Sequence, residues 1–404
     1  MLGSVRTATL NTGGAPFGLA VTPDGRWLFV AAGGAGGSVA GGAAAGGSVD
    51  VVRLGAGSGK LAVAPMTLVR SIPLPVVPAG VAITPDGRYL LLAAGSGAVV
   101  VSVARAEAGT AGAVLGTLAV PAPGPARVPA DTSSAIEVAV SPDSRFAFVT
   151  LEYADEAVVF NLADAVSRGF GTGGTSTGDY LGAIPLGQAA VGMAVSPDGR
   201  WLYATSEVAV PGQHPVGLTG AAGCKGGVQG TERGEPPGTL TVISLPRAET
   251  DPAHSVVATV DAGYQPVRVI SSADGTQVWV TARASDDLLC FSVARLTSDP
   301  ARALEAITRV GSEPVGLATA QGVAVIVVAD SNRFGASGAS SALTVVSAIA
   351  ALDGRPAVEG EISTGLFPRD MAVSPDGALF VSDFASGQVQ ELAGASLPVY
   401  APGG

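Results

Sequence analysis

One eleven-residue phrase recurs along the chain and limits the fold more than any other feature. Ala20-Val21-Thr22-Pro23-Asp24-Gly25-Arg26-Trp27-Leu28-Phe29-Val30 returns as Ala82-Ile83-Thr84-Pro85-Asp86-Gly87-Arg88-Tyr89-Leu90-Leu91-Leu92. It recurs around Ser141-Pro142-Asp143, Ser196-Pro197-Asp198-Gly199, Ala273-Asp274-Gly275 and Ser374-Pro375-Asp376-Gly377. A degenerate copy, Pro314-Val315-Gly316-Leu317-Ala318 followed by Gln321-Gly322, fills the long gap before the last. Seven copies in 404 residues average about 58 each, a period that signals a propeller or a solenoid.

Each copy reads as four strands. The first ends at Pro-Asp-Gly, where Pro presets one corner of a turn and Gly supplies a positive φ. The second is the aromatic and aliphatic run that follows. Third strands are expected at Val99–Val103, Val158–Leu162, Leu240–Leu245, Leu288–Val293 and Leu343–Ile349. Fourth strands are expected at Leu68–Leu74, Val114–Val120, Tyr180–Leu186, Ser255–Val260, Ala303–Val310 and Val358–Ser363. The last copy stops at its third strand, Gln388–Leu392, whereas the chain opens on a fourth, Val5–Asn11. That strand should complete the last blade and close a ring without a free sheet edge at the seam. The expected fold is therefore all-β: one domain over residues 1–404, a seven-bladed β-propeller of four-stranded, fully antiparallel blades.

Composition supports this and excludes other classes. The 57 glycines are roughly double the usual share, and 28 prolines add to them, which leaves little room for long helices. With 47% apolar residues the chain can form a core, yet no apolar run reaches the ~18 residues that span a bilayer, so no membrane partner is expected. A net charge of −11 gives no footprint for nucleic acid. Lys60 and Lys225 are the only lysines, and Cys224 and Cys290 the only cysteines, so catalytic lysine, disulfide and CxxC chemistry are poor fits. Cys290 reads as a buried core thiol. The first residues lack a basic segment followed by an apolar stretch, so no signal peptide is expected in the chain as it stands. Localisation stays open between cytoplasm and secretion after loss of a leader. A monomer is the expected state.

The Val-(Ser/Thr)-Pro-Asp-Gly-Arg-aromatic-Leu repeats resemble the YVTN β-propeller repeat family, and more broadly the seven-bladed lactonase-like propellers. The resemblance covers essentially the whole chain. It implies the propeller fold and a binding platform; the activities it implies are sugar-lactone hydrolysis or muconate-type cyclisation, alongside members that serve as surface or scaffold proteins. Muconate-type relatives bring a histidine to their charged cluster; here only His214 could play that part.

Disagreement among the copies points to a site. Six residues before the turn aspartate the copies carry Gly18, Gly80, Glu137, Gly192, Arg268, Gly316 and Asp370, with Arg369 beside the last. Since glycine is the common residue there, the fold should accept it in place of each charge. At the end of the second strand come Gly33, Gly95, Glu152, Glu207 and Arg283, then Asp330 with Ser331-Asn332-Arg333-Phe334 in blade 6 and Asp383-Phe384 in blade 7. All these positions belong to the face opposite the Pro-Asp-Gly turns. In a chain with only 14% charged residues, this collection is the strongest site signal. Arginines can fork onto a carboxylate while a glutamate moves protons. A ring of structural ion pairs is the competing reading.

The expected function is binding of a small molecule at the channel mouth, with lactonase-like hydrolysis or a cyclisation or isomerisation of an oxygenated, carboxylate-bearing metabolite. Glu137, Glu152 and Arg268 are the candidate catalytic residues. Glu207, Arg283, Asn332, Arg333, Arg369, Asp370, Asp383 and His214 are candidates for substrate binding. The alternative is a non-catalytic scaffold for a ligand or a protein. The blade 4 insertion, residues 206–238, carries His214, Cys224 and Glu232 and is a candidate lid. The glycine-rich stretch Gly33–Gly47 reads as a plain insertion. Gly174-Thr175-Ser176-Thr177-Gly178 matches GxSxG but sits in a Gly/Thr loop rather than a strand-to-helix elbow. Gly59-Lys60 lacks the rest of a phosphate loop, and two histidines argue against zinc or haem. No cofactor is expected; calcium held by Glu137, Glu152 or Asn332 oxygens is the one candidate, and no spacing fixes it.

Overall fold

A computed structural model of the chain describes residues 5–34, 46–55, 63, 65–121, 135–171, 174–210, 236–320, 324–333, 341–393 and 397. Seven sheets form the blades of a propeller. Blade 1 runs Ala15–Val21, Trp27–Gly33, Ser48–Leu54 and Met66–Pro73 from the channel outward. Blades 2 to 6 repeat this order, with innermost strands at Val81–Ile83, Ala135–Val140, Gln188–Val195, Pro266–Ser271 and Pro314–Ala320. Blade 7 takes Pro368–Val373, Leu379–Asp383 and Gln388–Leu392 from the C-terminal end, and its outermost strand is Thr7–Asn11. That strand pairs antiparallel with Gln388–Leu392, from Thr7 opposite Leu392 to Asn11 opposite Gln388. The expected closure is therefore the observed one.

The recurring phrase builds the same turn each time. In blade 1, Asp24 Oδ1 accepts from Thr22 Oγ1 at 2.6 Å and from the Arg26 amide at 3.0 Å. Thr22 Oγ1 in turn accepts from the Trp27 amide at 3.1 Å. Thr84–Asp86, Ser141–Asp143, Ser196–Asp198, Ser272–Asp274 and Ser374–Asp376 repeat the hydroxyl-to-carboxylate bond. The Ser/Thr and Asp of the phrase are thus explained by the turn alone. Alternating apolar residues of the middle strands, such as Phe29, Leu91, Phe148, Tyr203, Trp279, Val327 and Phe380, are buried between blades and form the core.

Two details differ from expectation. The third strands stop one or two residues early, at Ser102, Asn161, Ser244, Ser292 and Ser347, and short helices follow, for instance Val103–Ala108 and Leu162–Arg168. The hydroxyl or amide at the strand end caps the helix: Ser102, Asn161 and Ser347 accept from the amide three residues on. The second difference is that blade 2 has a fifth strand, Thr175–Ser176, pairing parallel with Val114–Ala119, so the sheets are not fully antiparallel. This strand is the GxSxG segment. Ser176 Oγ donates to Asp179, which also pairs with Arg168, so the serine pins an edge. Cys290 is buried and free, as expected, and burial pushes its thiol well above the usual range. Cys224, Lys60, Glu232, Phe334 and most of both insertions lie outside the described residues. Among those described, no helix is long and apolar enough to cross a membrane.

Candidate functional site

A register break at one place in six of the seven blades builds the channel wall. In blade 1, Pro16 pairs with Ala32 and the next pair is Leu19 with Val30, so two residues oppose one. The same break falls between Ala135 and Val138, Ala190 and Met193, Pro266 and Val269, Pro314 and Leu317, and Pro368 and Met371. Such a bulge re-aims side chains that a regular strand would send to opposite faces. Each of these six blades thereby offers the channel two consecutive residues, among them Phe17-Gly18, Ile136-Glu137, Val267-Arg268 and Arg369-Asp370.

The second residue of each pair forms a deep ring. Arg268 Nη1 lies 2.5 Å from Glu137 Oε2, and its Nε lies 3.6 Å from Asp370 Oδ1. Asp370 Oδ2 also accepts from the Leu19 amide at 3.0 Å. The glycines between these charges have their own cause. A Cβ on Gly80 would sit 2.6 Å from Glu137 Oε1, and one on Gly192 would sit 2.2 Å from the Val267 carbonyl oxygen. Neighbouring bulges touch there, so glycine is imposed by crowding rather than being a neutral default. Burial pushes Glu137 up to about 7, with Asp370 adding to the effect and Arg268 opposing it. Burial works against the Arg268 charge, but Glu137 and Asp370 together hold it above its ordinary value.

Hydroxyls beneath the bulges tie the blades together. Thr150 Oγ1 accepts from the Glu137 amide at 3.0 Å and donates to the Val191 carbonyl of the next blade at 3.1 Å. Thr205 links Gly192 to Val267 in the same way, and Thr281 links Arg268 to Val315. Ser382 links Asp370 to Phe17 and so bridges the seam between blades 7 and 1.

Above the ring lies a cavity of about 120 Å³. Its floor is apolar, made by Ile136, Val191, Val267 and Val315, which pack on one another across the channel. Its walls carry Glu152, Glu207, Arg268, Arg283, Arg333 and Arg369, with Phe17 and Phe367. Glu207 and Arg283 are paired at 3.0 Å and little exposed, and Arg283 also donates to Gln265 Oε1. Burial raises Glu207, and Arg283 is the main opposing charge. Glu152 is raised by burial too, against the pull of Arg369, Arg283 and Arg333.

Arg369 is the anomaly. Its guanidinium carbon stacks 3.7 Å from the Phe17 ring centroid and lies 5.2 and 5.5 Å from those of Phe367 and Phe384. Among the described residues it makes no ion pair or side-chain hydrogen bond, and its Nε is sealed from solvent without a partner. Burial, with Arg268, Arg333 and Arg283 adding to it and Glu152 opposing, lowers it to about 9. A cation in that position calls for an anion. Phe367 is held there by a left-handed backbone, φ +53°, just before Pro368. The equivalent residues of blades 4, 5 and 6, Ala189, Gln265 and Glu313, are left-handed too, so this turn belongs to the repeat and Phe367 is what blade 7 places on it.

The structure thus brings together most of the residues singled out from the sequence. Glu152, Glu207, Arg268, Arg283, Arg333 and Arg369 line the cavity, while Glu137 and Asp370 reach it through Arg268. Asp330 and Asp383 do not line it. They pair in register with Pro314 and Pro368, where blade 5 has Ala282 opposite Pro266. They therefore stand one residue before the position of Arg283, on the other face of the strand. Asp330 accepts from Thr344 and Asp383 from Thr364, both at the seam with the outer part of their blade. Burial raises them to about 7 and about 6. Asn332 also does not line the cavity: at φ +45° its amide donates to the Ser312 carbonyl. His214 lies outside the described residues. Phe17, Phe367, Gln265 and the apolar floor were not anticipated. The signal was Arg369 beside Asp370, since two adjacent charges in one strand imply a bulge that exposes both.

As for calcium, Glu137 is committed to Arg268 and Glu152 faces arginines, so neither carboxylate offers a cation a free oxygen set. Among the described residues no group of three His, Cys, Asp or Glu side chains is placed to hold a metal ion.

No protein-family model matches the chain. No curated protein matches it either. Among solved structures, hydrazine synthase of Kuenenia stuttgartiensis superposes with a TM-score of 0.62 over 96% of this chain and 98% of that one, at 15% identity. At that identity the likeness is one of fold, that of a seven-bladed propeller.

Proposed function

We propose that the cavity binds a small carboxylate-bearing metabolite and that the protein acts on it, as a cyclase or isomerase or by lactone opening. The observation that carries this reading is Arg369, a stacked and desolvated guanidinium that forms no ion pair among the described residues. Arg369 and Arg333 hold the carboxylate, since guanidinium forks match its geometry. Glu152 is the acid–base group: it is a carboxyl on the cavity wall, raised by burial against the pull of three arginines. Glu137, named from the sequence as a second candidate, serves instead to fix Arg268. The small cavity and its little-exposed ion pairs favour chemistry over a scaffold, which would present a broad, solvated face.

A thermal-shift screen of carboxylate metabolites against the wild-type chain, Arg369→Gln and Glu152→Gln tests the reading. Hits should raise the wild-type melting temperature and leave Arg369→Gln unmoved. Glu152→Gln should still bind them and fail to convert them. Equal shifts in Arg369→Gln would remove the anion site. Binding without conversion by the wild-type chain, across every hit, would leave the scaffold reading.

A further inference from the structure

We infer that the ligand of this cavity is a small zwitterion, an amino acid of glycine or alanine size, whose carboxylate lies on Arg369 and whose ammonium group lies on Glu152. The inference rests on the reading of Arg369 as the carboxylate site and names what occupies the other end of the ligand.

Glu152 is the starting point. It stands on the same cavity wall as Arg369, and among the described residues it forms no hydrogen bond or ion pair. Arg369 is the strongest of the cations acting on it, yet the two are too far apart to pair. Arg369 is in the same condition, its Nε sealed without a partner and its face on Phe17. The wall therefore carries a guanidinium and a carboxyl that feel each other across the cavity without meeting. A ligand with a carboxylate and an ammonium group on adjacent carbons gives each of them a partner through charge-assisted hydrogen bonds, which are the strong ones. Burial works against the charge of Glu152, and an ammonium group beside it offsets that.

The balance of charge agrees. Among the described side chains, four arginines stand against four carboxylates around the cavity and the ring beneath it. A ligand with a net charge would upset that balance in a desolvated site, where an uncompensated charge is expensive. An amino acid at neutral pH brings none. A plain carboxylate brings one negative charge and leaves Glu152 as it was.

Size and polarity set the rest. A dry cavity of about 150 Å³ holds benzene, with six non-hydrogen atoms. At about 120 Å³ this cavity is matched by glycine and alanine, with five and six. Ile136, Val191, Val267 and Val315 offer only apolar side chains from the floor, which suits the methyl group of alanine. A further polar group at that end would find no partner.

Titration calorimetry on the full chain, at neutral pH and constant ionic strength, with alanine, propionate, lactate, ethylamine and leucine tests this. Propionate lacks the ammonium group, lactate replaces it by a hydroxyl, and ethylamine lacks the carboxylate. Alanine should bind at least about tenfold more tightly than any of these three. Leucine, which exceeds the cavity, should bind more weakly than alanine. In Glu152→Gln, which keeps a carbonyl acceptor, alanine should still bind but about tenfold more weakly, while propionate is not weakened. Arg369→Gln should weaken alanine and propionate alike. Propionate or lactate binding as tightly as alanine overturns the amino-acid class and leaves the carboxylate site standing. Ethylamine matching alanine overturns the class and the carboxylate site together. Absence of binding by all five overturns the class, while the carboxylate site is judged by the wider thermal-shift screen.

Discussion

Arg268 Nη1 and Glu137 Oε2 are 2.5 Å apart although their strands belong to blades 5 and 3, with all of blade 4 between them. The contact exists because the intervening bulge carries Gly192, whose missing Cβ would meet the Val267 carbonyl and Arg268 Cα. A charge from one blade can therefore lie over its neighbour and reach the next. The pair spans the channel and belongs to the architecture as much as to the cavity.

Removing the cation should be costly. Arg268→Met leaves Glu137 and Asp370 buried beside each other, and breaking such a pair typically costs 3–5 kcal/mol. Glu137→Gln keeps an acceptor for Arg268 and should cost only about 1 kcal/mol. Urea midpoints at unchanged m-value would check both; near-native stability of Arg268→Met would show the pair to be dispensable.

Stability should fall as pH rises from mildly acidic to neutral. Asp330 and Asp383 have ordinary values of 3.8, raised to about 7 and about 6 in the fold. Between those limits the folded chain binds more protons than the unfolded one, so the contribution is fully present below about pH 4 and is lost progressively towards pH 7. The effect is on the order of 1–3 kcal/mol. Asp330→Asn should flatten the profile measured by urea midpoints from pH 5 to pH 8. A profile with the same slope in the variant would assign the titration elsewhere.

The threonine links can be tested at one seam. Thr205→Val keeps shape but deletes the hydroxyl between the Gly192 amide and the Val267 carbonyl, leaving both without that partner. A loss of about 2–3 kcal/mol is expected, with Thr205→Ser recovering most of it. An unchanged denaturation midpoint would mean that the blades hold together by packing alone.

Ring closure predicts the effect of trimming the start of the chain. Deleting residues 1–11 removes Thr7–Asn11 and bares the edge of Gln388–Leu392. The melting temperature should drop by about 10 °C or more, with a tendency to aggregate. If scanning calorimetry finds no shift, the strand contributes little to the closure.

How much could be read beforehand follows from which signals the repeats carry. The turn phrase recurs with its hydrogen bonds, so blade number, strand order and the closing strand were legible from Thr22-Pro23-Asp24 and its copies. Helices after the third strands were not, because Ser102 or Asn161 ends a strand and caps a helix with the same side chain. In blade 7 the stretch from Asp376 to the strand is one residue shorter than its equivalents, and the copy in blade 6 is degenerate. The spacing from the turn that aligns Glu152, Glu207 and Arg283 therefore does not carry over to Asp330 and Asp383, which stand one position off, on the opposite face. Arg369 was visible as a charge, but its stacking on Phe17 was not, since those residues are 352 positions apart and meet only through closure.

The bulges have a consequence for how a chain like this can change. Ladder positions answer to partners on either side, so a substitution there must be matched by others. The two residues in each bulge share a single opposite residue, and six blades present them to one central space. Where crowding does not impose glycine, as it does at Gly18 and Gly192, new chemistry can be written into the channel while the ladder pairs around the bulge stay as they are. Two propellers with the same frame can then recognise unrelated molecules, their histories diverging at a dozen sites that whole-chain comparison scarcely weighs.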